Sequence, residues 1–231
     1  MSNHLKRYFS PKSWKIKRKG IVFITKPSPG THGIKMALPL NVVLRDILDY
    51  AETNREVKFM LRNKDIRVDG RRKRDYSFPL GLFDVLSLND INEYFRAVLN
   101  KKGFISLVRV SKDESNLKLC KIVGKTAVKG KTQLNLNDGR NLTVEKSNFV
   151  VGDSLLMDLS AKTAKIKGHI KLAKDTLILL TGGKRIGQIG KVQDIAIRGV
   201  IYKTESGDVV ETLKKYAFPI GNERPLIKIA E

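Results

Sequence analysis

Cysteine is almost absent from this sequence, since Cys120 is the only one among 231 residues. A single thiol excludes an internal disulfide and any zinc site built mainly from cysteines. No histidine lies close to Cys120 in the sequence, so we interpret it as a small buried apolar residue rather than a reactive thiol. This cysteine usage is typical of an intracellular protein.

Long apolar runs are also missing. The sequence contains no stretch of about 18 apolar residues, which a membrane-spanning helix would need. Its first residues lack the apolar segment and cleavage site of a secretory signal. With 41% hydrophobic residues the chain can still build a core. We therefore expect a folded protein, in one large domain or two to three small ones, that is neither secreted nor bound to a membrane.

Acidic residues are scarce, and none occurs before Asp46. The chain has 45 Lys and Arg against 23 Asp and Glu, which gives a formal net charge of +22. A polyanionic partner relieves such self-repulsion most easily, and nucleic acid is the leading candidate.

Residues 1–39 combine many cations with prolines and glycines, and this composition predicts an extended basic arm that becomes ordered on binding. Tyr8, Phe9 and Trp14 lie among the cations, as suits a phosphate backbone with exposed bases. Alternatively, Trp14 anchors the arm to the core. We interpret His32 as a turn or RNA-contact residue rather than a metal ligand. The predicted RNA contacts of the arm are Lys6, Arg7, Lys12, Trp14, Lys15, Lys17, Arg18, Lys19 and His32.

Two short helices are predicted after the arm. Apolar residues recur at the spacing of one helical face from Leu40 to Ala51. Thr53 and Glu56 then fit a capping box, in which the threonine hydroxyl accepts a hydrogen bond from the Glu56 amide.

A basic turn follows these helices, between predicted strands at Ile66–Val68 and Phe83–Leu88. Asp69 and Gly70 form a tight-turn pair between the two. A dense group of cations around such a turn is suited to holding phosphates. Together with one arginine of the first helix, the predicted RNA contacts here are Arg45, Arg62, Lys64, Arg67, Arg71, Arg72, Lys73 and Arg74.

Beyond Asn92 the sequence becomes mostly β. Asn137, Asp138 and Gly139 signal a hairpin, because the residues on either side of them alternate between apolar and polar. The other predicted strands are Phe95–Leu99, Phe104–Val110 and Leu117–Val123.

A glycine-rich basic stretch follows the apolar run Thr176–Leu180. Its glycines are Gly182, Gly183, Gly187 and Gly190. Their spacing matches neither the dinucleotide-binding pattern nor the P-loop, so no nucleotide cofactor is expected. Two interpretations stay open: the glycines only permit tight turns, or Lys184 and Arg185 also contact RNA.

Several of these stretches carry a resemblance to one family. REVKFMLRNKDIRVDGRRKRD with FPLGLFDVLSL resembles the S-four RNA-binding domain, in the form found in the small-subunit ribosomal protein family S-four-e, the archaeal and eukaryotic type. HLKRYFSPKSWKIKRKG and PSPGTHGIKMALPL are similar to the arm of that family, and LKLCKIVGK, QLNLNDGRNL and VGDSLLMDL to its central domain. TGGKRIGQIGKVQDI resembles a KOW module, and KKYAFPIGNERPLIKI the family's C-terminus. Thr31 and Gln188 depart from the expected proline and arginine.

The resemblance implies an α+β fold, mainly β. It implies a helix-helix-strand RNA-binding unit, then a β-rich central domain and a small KOW-type β-barrel. The expected divisions are the arm at 1–39, the S-four-type domain at 40–92, the central domain at 93–173, the KOW module at 174–208 and a tail at 209–231.

The resemblance also implies a structural constituent of the small ribosomal subunit. Such a protein binds small-subunit, 16S-type ribosomal RNA through phosphate contacts and shape recognition. It is a monomer within the cytoplasmic ribosome, beside neighbouring ribosomal proteins, with no enzyme activity, cofactor, metal, membrane or small-molecule substrate.

Two alternatives remain open. The first is an RNA-modifying enzyme that uses the S-four-type domain as an anchor, with Asp84, Asp138 or Asp153 as its nucleophile or base. The sequence does not show the arrangement of histidine, lysine or serine that would accompany such an acid. The second is a KOW-type transcription factor, which has no obvious need for the basic arm.

Overall fold

The computed structural model describes residues 4–145, 148–160 and 165–229. It is mainly β, with 42% strand and 14% helix, which confirms the expected α+β, mainly β class. Two compact units are present. The first holds residues 4–98 and 104–116, and the second holds residues 99–103 and the described residues from 117 onward.

The first unit combines short helices with a five-stranded antiparallel sheet and two small two-stranded sheets. Its α-helices are α1 (Leu40–Val42), α2 (Asn54–Asn63) and α3 (Lys112–Ser115). Its strands are β1 (Leu5–Lys6), β2 (Phe23–Ile24), β3 (Ala37–Pro39), β4 (Ile66–Val68), β5 (Arg71–Arg72), β6 (Pro79–Gly81), β7 (Val85–Leu88), β8 (Glu93–Leu99) and β9 (Ile105–Arg109). The five-stranded sheet has the order β5-β4-β7-β8-β9, and β1 pairs with β2 and β3 with β6.

The first predicted helix is shorter and less regular than expected. After α1 the backbone widens into a π-helical turn at Val43–Ile47, and Asp49 adopts a positive φ of 54°. Val42, Val43 and Leu44 are all fully buried. The consecutive burial explains the departure from the prediction, because a regular amphipathic helix would turn one of three successive side chains toward solvent.

Helix α2 begins at the predicted capping box. The Thr53 Oγ1 accepts from the Glu56 amide at 3.3 Å. The Glu56 carboxylate accepts from the Glu52 amide at 2.9 Å, one residue earlier than in the standard box. Val57 and Leu61 form its buried face. The capping signal was local to the sequence, and it is confirmed.

Strands β8 and β9 extend the sheet of the basic turn. Phe95 pairs with Leu86 and Arg96 with Val85 in an antiparallel register. Both strands lie in the region 93–173 that was expected to form a central domain. Hydrophobic alternation indicates that a strand forms but does not say which neighbour it pairs with, so the sheet continues past this expected boundary.

The second unit contains two five-stranded antiparallel sheets. Its strands are β10 (Leu117–Val128), β11 (Lys131–Leu136), β12 (Asn141–Val144), β13 (Ser154–Asp158), β14 (Lys165–Ile170), β15 (Leu177–Leu180), β16 (Ile189–Ile195), β17 (Gly199–Thr204), β18 (Val209–Leu213) and β19 (Ala217–Gly221). The sheet orders are β12-β11-β10-β13-β14 and β18-β17-β16-β15-β19. Strands β18 and β19, from the expected tail, therefore belong to the same sheet as the glycine-rich stretch.

Each sheet of the second unit has its own apolar cluster. Cys120, Ile122 and Leu155 belong to the first cluster, whereas Ile178, Val192 and Tyr202 belong to the second. Cys120 is fully buried, which confirms its interpretation as a core residue. The predicted hairpin at residues 137–139 joins β11 to β12, with Leu134 paired to Leu142.

A buried lysine connects the two sheets of the second unit. The Lys121 ammonium, on β10, donates to the carbonyl oxygens of Lys214 at 3.2 Å and Lys215 at 3.0 Å, and also to that of Ala217 at the start of β19. Burial, together with the nearby Lys214 charge, lowers the pKa of Lys121 to about 8. One side chain thus satisfies three main-chain acceptors.

Candidate nucleic-acid interface

The basic turn is a tight hairpin between β4 and β5. Asp69 and Gly70 have φ values of 52° and 74°, as a two-residue type I′ turn requires. Ile66 and Val68 point into the core. The turn is held to β7, because the Val85 amide donates to Asp69 Oδ1 at 3.0 Å and the Asp69 amide donates to the Val85 carbonyl at 2.9 Å. The cations around the turn therefore stand on a fixed backbone.

Arg67 is partly neutralised within the protein. Its Nε donates to both carboxylate oxygens of Asp65, at 3.0 and 2.9 Å. Hydrogen bonds from Arg67 and then Asn89 lower the pKa of Asp65, and the same ion pair raises the pKa of Arg67. A phosphate would have to compete with this half-buried carboxylate for Arg67.

Arg72 lies at the C-terminal end of α2. Its Nη2 donates to the carbonyl oxygens of Arg62 at 3.0 Å and Lys64 at 3.2 Å. A helix leaves its last carbonyls without intrahelical partners, and a cation placed there both bonds to them and interacts favourably with the helix dipole. Arg72, predicted as an RNA contact, thus joins the hairpin to the helix.

Replacing Arg72 by glutamine is expected to lower the free energy of unfolding by about 1 kcal/mol, because two charge-assisted hydrogen bonds at an exposed site are lost. Urea unfolding followed by circular dichroism measures the change. Arg71→Gln is the matched control on the same strand, and it should stay within about 0.5 kcal/mol of the unsubstituted protein. Equal stability of the two variants would contradict the joining role of Arg72.

Four predicted cations around the hairpin remain exposed. Their side chains make no hydrogen bond or ion pair with any part of the chain that the structure describes, and they are Arg62, Lys64, Arg71 and Arg74. Lys73 is half-buried, with its ammonium 4.1 Å from the centroid of the Phe78 ring. The four exposed cations are the part of this surface best able to neutralise phosphates.

Two further cations of α2 belong to this surface, although they were not among the predicted RNA contacts. Arg55 and Lys58 are exposed on the same helix as Arg62, at positions i, i+3 and i+7 of one face. Lys58 also lines a cleft of about 970 Å³ between the arm and α2, and its ammonium lies 4.5 Å from the centroid of the Tyr76 ring. The helical spacing of the three cations was the signal that could have identified them.

The basic arm is packed on the first unit from residue 4 onward, which corrects the expectation of an extended arm. Trp14 is 1% exposed and forms a parallel bridge with Ile105. Arg7 is buried, and its Nη2 lies 2.6 Å from Asp46 Oδ1. The anchors of the arm are thus acids and apolar residues elsewhere in the unit, which the composition of the arm did not show. Residues 1–3 lie outside the described part of the chain.

Several predicted contacts of the arm and first helix are occupied within the protein. Arg18 donates to the carbonyls of Ser10 and Pro11 at 2.6 and 2.8 Å. Arg45 pairs with Asp46 at 2.7 Å. His32 Nε2 lies 3.0 Å from Asp84 Oδ1. For Trp14 and Arg7, burial favours the anchoring interpretation over RNA contact. The predicted lysines of the arm that stay exposed are Lys6, Lys12, Lys15, Lys17 and Lys19.

Two glycines of the glycine-rich turn lie against other parts of the chain, with no room for a side chain. A Cβ on Gly187, whose φ is 81°, would lie 1.8 Å from the Asn100 carbonyl oxygen, and one on Gly182 would lie 2.4 Å from the Tyr216 ring. These contacts support the tight-turn interpretation. Lys184 is exposed, whereas Arg185 is half-buried with its Nη1 3.3 Å from Asp208 Oδ2. Contact of either with RNA stays a prediction.

The acids considered for catalysis have structural partners. Asp84 accepts from the Gly81 amide at 2.9 Å as well as facing His32. Asp153 bonds His169 at 2.8 Å and the Leu172 amide at 3.0 Å.

Asp138 is fully buried, and its Oδ2 lies 3.2 Å from both Lys118 Nζ and Arg140 Nε. Burial raises the pKa of Asp138, but the Lys118 and Arg140 charges and the Arg140 amide bring it below its ordinary value. Among the described residues there is no cluster of three potential metal ligands, and no helix long and apolar enough to cross a membrane.

These features define the class: a basic, mainly β protein that presents a set of exposed cations on a hairpin and a helix. Comparison with known proteins gives the family. Residues 1–35 match the RS4NT (NUC023) domain, and residues 91–164 match the model of ribosomal family S4e.

Two curated relatives are both called small ribosomal subunit protein eS4. The one from Methanosphaera stadtmanae is 41% identical over 233 residues, which cover 98% of this chain and 95% of that protein. The one from Methanothermobacter thermautotrophicus is 39% identical, with the same coverage. The crystal structure of the 30S ribosomal protein S4e from Thermoplasma acidophilum has a TM-score of 0.69 and 29% identity, and covers 81% of this chain and 96% of that one. The chain belongs to ribosomal family S4e, the S-four-e family that the sequence resembles.

Proposed function

We propose that this protein is a structural constituent of the small subunit of cytoplasmic ribosomes, where it binds small-subunit ribosomal RNA and supports translation. Its other partners are neighbouring ribosomal proteins, and it takes part as a single copy. The observation that carries the RNA role is the group of exposed, unneutralised cations on the hairpin and α2, in a chain with a net charge of +22. Cations held on a fixed backbone can displace counterions from phosphates without first becoming ordered.

The RNA contacts and the domain divisions are the finer part of the proposal. Arg62, Lys64, Arg71 and Arg74 are the phosphate contacts that exposure supports best, and Arg55 and Lys58 extend the same surface. Residues 40–92 form the S-four-type core of this surface, to which β8 and β9 add strands. The sheet of β15 to β19 is the KOW-type part, with Lys184 as its candidate contact.

Co-sedimentation tests the ribosomal role directly. The full chain is expressed with a tag in a cell whose ribosomes contain a protein of the same family. It is expected to sediment with small subunits in about equimolar amount. It should stay bound at moderate salt, because many distributed phosphate contacts must be released together. Recovery with RNA polymerase instead would favour the KOW-type transcription factor. Recovery with neither would contradict the proposed function.

A further inference from the structure

Two aromatic side chains of the arm project into solvent side by side. Tyr8 is 74% exposed and Phe9 is 70% exposed, in a single 3₁₀ turn at Arg7–Phe9. Their ring centroids are 5.6 Å apart with an angle of 82° between the planes, an edge-to-face pair. This arrangement leaves ring faces open for a further flat group. Exposed aromatic pairs on a folded surface indicate a binding site more often than single apolar residues do.

The backbone that carries the two rings is fixed by two arginines. The Arg7 amide donates to the Val22 carbonyl at 2.8 Å, while the Arg7 side chain is ion-paired with Asp46. Arg18 donates from the other side to the carbonyl oxygens of Tyr8 at 3.2 Å and Ser10 at 2.6 Å. Both arginines were predicted to bind phosphates, and in the structure both hold the turn. The backbone that carries the rings therefore has little conformational entropy left to lose on binding.

The positive charge around the Tyr8–Phe9 pair favours a nucleic acid as its partner. The exposed lysines of the arm lie on both sides of the turn in sequence, and the first 45 residues contain no acid. An apolar protein surface would leave this positive charge uncompensated. A single-stranded nucleic acid offers both flat bases for the rings and phosphates for the lysines. Bases in a duplex are already stacked, so only unpaired ones have free faces.

We propose that Tyr8 and Phe9 stack on unpaired nucleobases of the bound RNA, while neighbouring lysines neutralise the adjacent phosphates. This inference rests on the proposed function for the presence of RNA. It adds that the arm contacts a single-stranded segment, and that Tyr8 and Phe9, rather than the buried Trp14, are the stacking residues.

The test compares the unsubstituted full chain with a Tyr8→Leu, Phe9→Leu double variant, which keeps apolar bulk but removes both rings. The probe is a single-stranded RNA of about 12 nucleotides, within the site sizes typical of single-strand binders, that carries 2-aminopurine. The variant is expected to bind at least about 10-fold more weakly and to lose the fluorescence quenching caused by stacking. The dependence of log K on log salt should be unchanged, because no phosphate contact is removed.

Three controls make the outcome specific. Ile21→Ala, Val22→Ala removes exposed aliphatic side chains of the same arm and should leave binding unchanged. Duplex RNA should bind both proteins equally, and thermal unfolding should show both folded. If the unsubstituted protein binds no RNA, the proposed function fails. If it binds and the double variant matches it in affinity and quenching, the stacking inference alone is overturned. The stacking inference is also overturned if the double variant binds RNA as the unsubstituted protein does but loses its contact with a neighbouring ribosomal protein in the small subunit.

Discussion

Replacing Arg71 and Arg74 together by glutamine is expected to weaken binding of small-subunit ribosomal RNA by about 25-fold to 60-fold at about 0.1 M salt. Both side chains are exposed and make no ion pair in the part of the chain that the structure describes. Each neutralised phosphate contributes about 0.9 to the slope of log K against log salt on a duplex, and about 0.7 on a single strand. Loss of two contacts should therefore flatten the slope by about 1.8 or 1.4.

Titrations of the full chain at several salt concentrations measure both quantities. Lys125→Gln, Lys203→Gln is the matched control, because it removes the same charge from exposed strand positions of the second unit. Only the arginine variant should show the flattened slope. An unchanged slope in that variant, or an equal change in the control, would rule out the hairpin as a phosphate-binding surface.

Incorporation into the small subunit is expected to survive the same double substitution. The exposed lysines of the arm, the cationic face of α2 and Lys184 provide further proposed contacts, so affinity is distributed along the chain. Complete loss of incorporation by a folded Arg71→Gln, Arg74→Gln variant would show that the hairpin contributes far more than its share of the cations.

Replacing Lys121 by methionine is expected to lower the free energy of unfolding by about 2 kcal/mol at pH 7. Three carbonyl oxygens lose their donor, of which that of Ala217 belongs to a fully buried residue and cannot turn to water. The gain from no longer burying a charge offsets part of this loss. Lys125→Met, at an exposed position of the same strand, is the control and should change stability by less than about 0.5 kcal/mol.

The difference between the unsubstituted protein and the Lys121→Met variant should also depend on pH. The folded pKa of Lys121 is about 8, against an ordinary value of 10.5. Between these two pH values the unfolded chain binds more protons at this site, so stability rises with pH. The advantage of the unsubstituted protein should therefore widen from pH 8 to pH 10.5, by up to about 3 kcal/mol. Urea unfolding at a series of pH values measures it, and a constant difference would contradict the low pKa.

The features that sequence predicted correctly are set by neighbouring residues. The Thr53 cap, the Asp69–Gly70 turn and the hairpin at residues 137–139 each depend on a few consecutive side chains and on backbone angles that those residues favour. The burial of Cys120 was likewise predicted from its near neighbours in sequence, which include no histidine to activate the thiol. Local chemistry of this kind acts alike in any fold that contains the segment.

The sequence did not show which partners the fold brings to several of the predicted RNA contacts. Arg7 is neutralised by Asp46, 39 positions away. Arg18 donates to carbonyls of the turn that it supports, and its partners Ser10 and Pro11 are close in sequence but follow no helix or strand period. Trp14 reaches the core through Ile105. Helical spacing also failed where Val42, Val43 and Leu44 are buried together. No local pattern reports such contacts, because they exist only once the chain has folded.

For this protein, the sequence by itself determined the charge of +22, the lack of acids before Asp46, the local turns and caps, and the mainly β class. These properties follow from composition and from interactions between near neighbours. Only the tertiary structure decided which cations remain available to a polyanion. It pairs Arg7, Arg45 and Arg67 with carboxylates, uses Arg18 and Arg72 to hold backbone carbonyls, and leaves Arg62, Lys64, Arg71 and Arg74 exposed. The physical reason is that neutralisation depends on distance in space, which the fold sets and the order of residues does not.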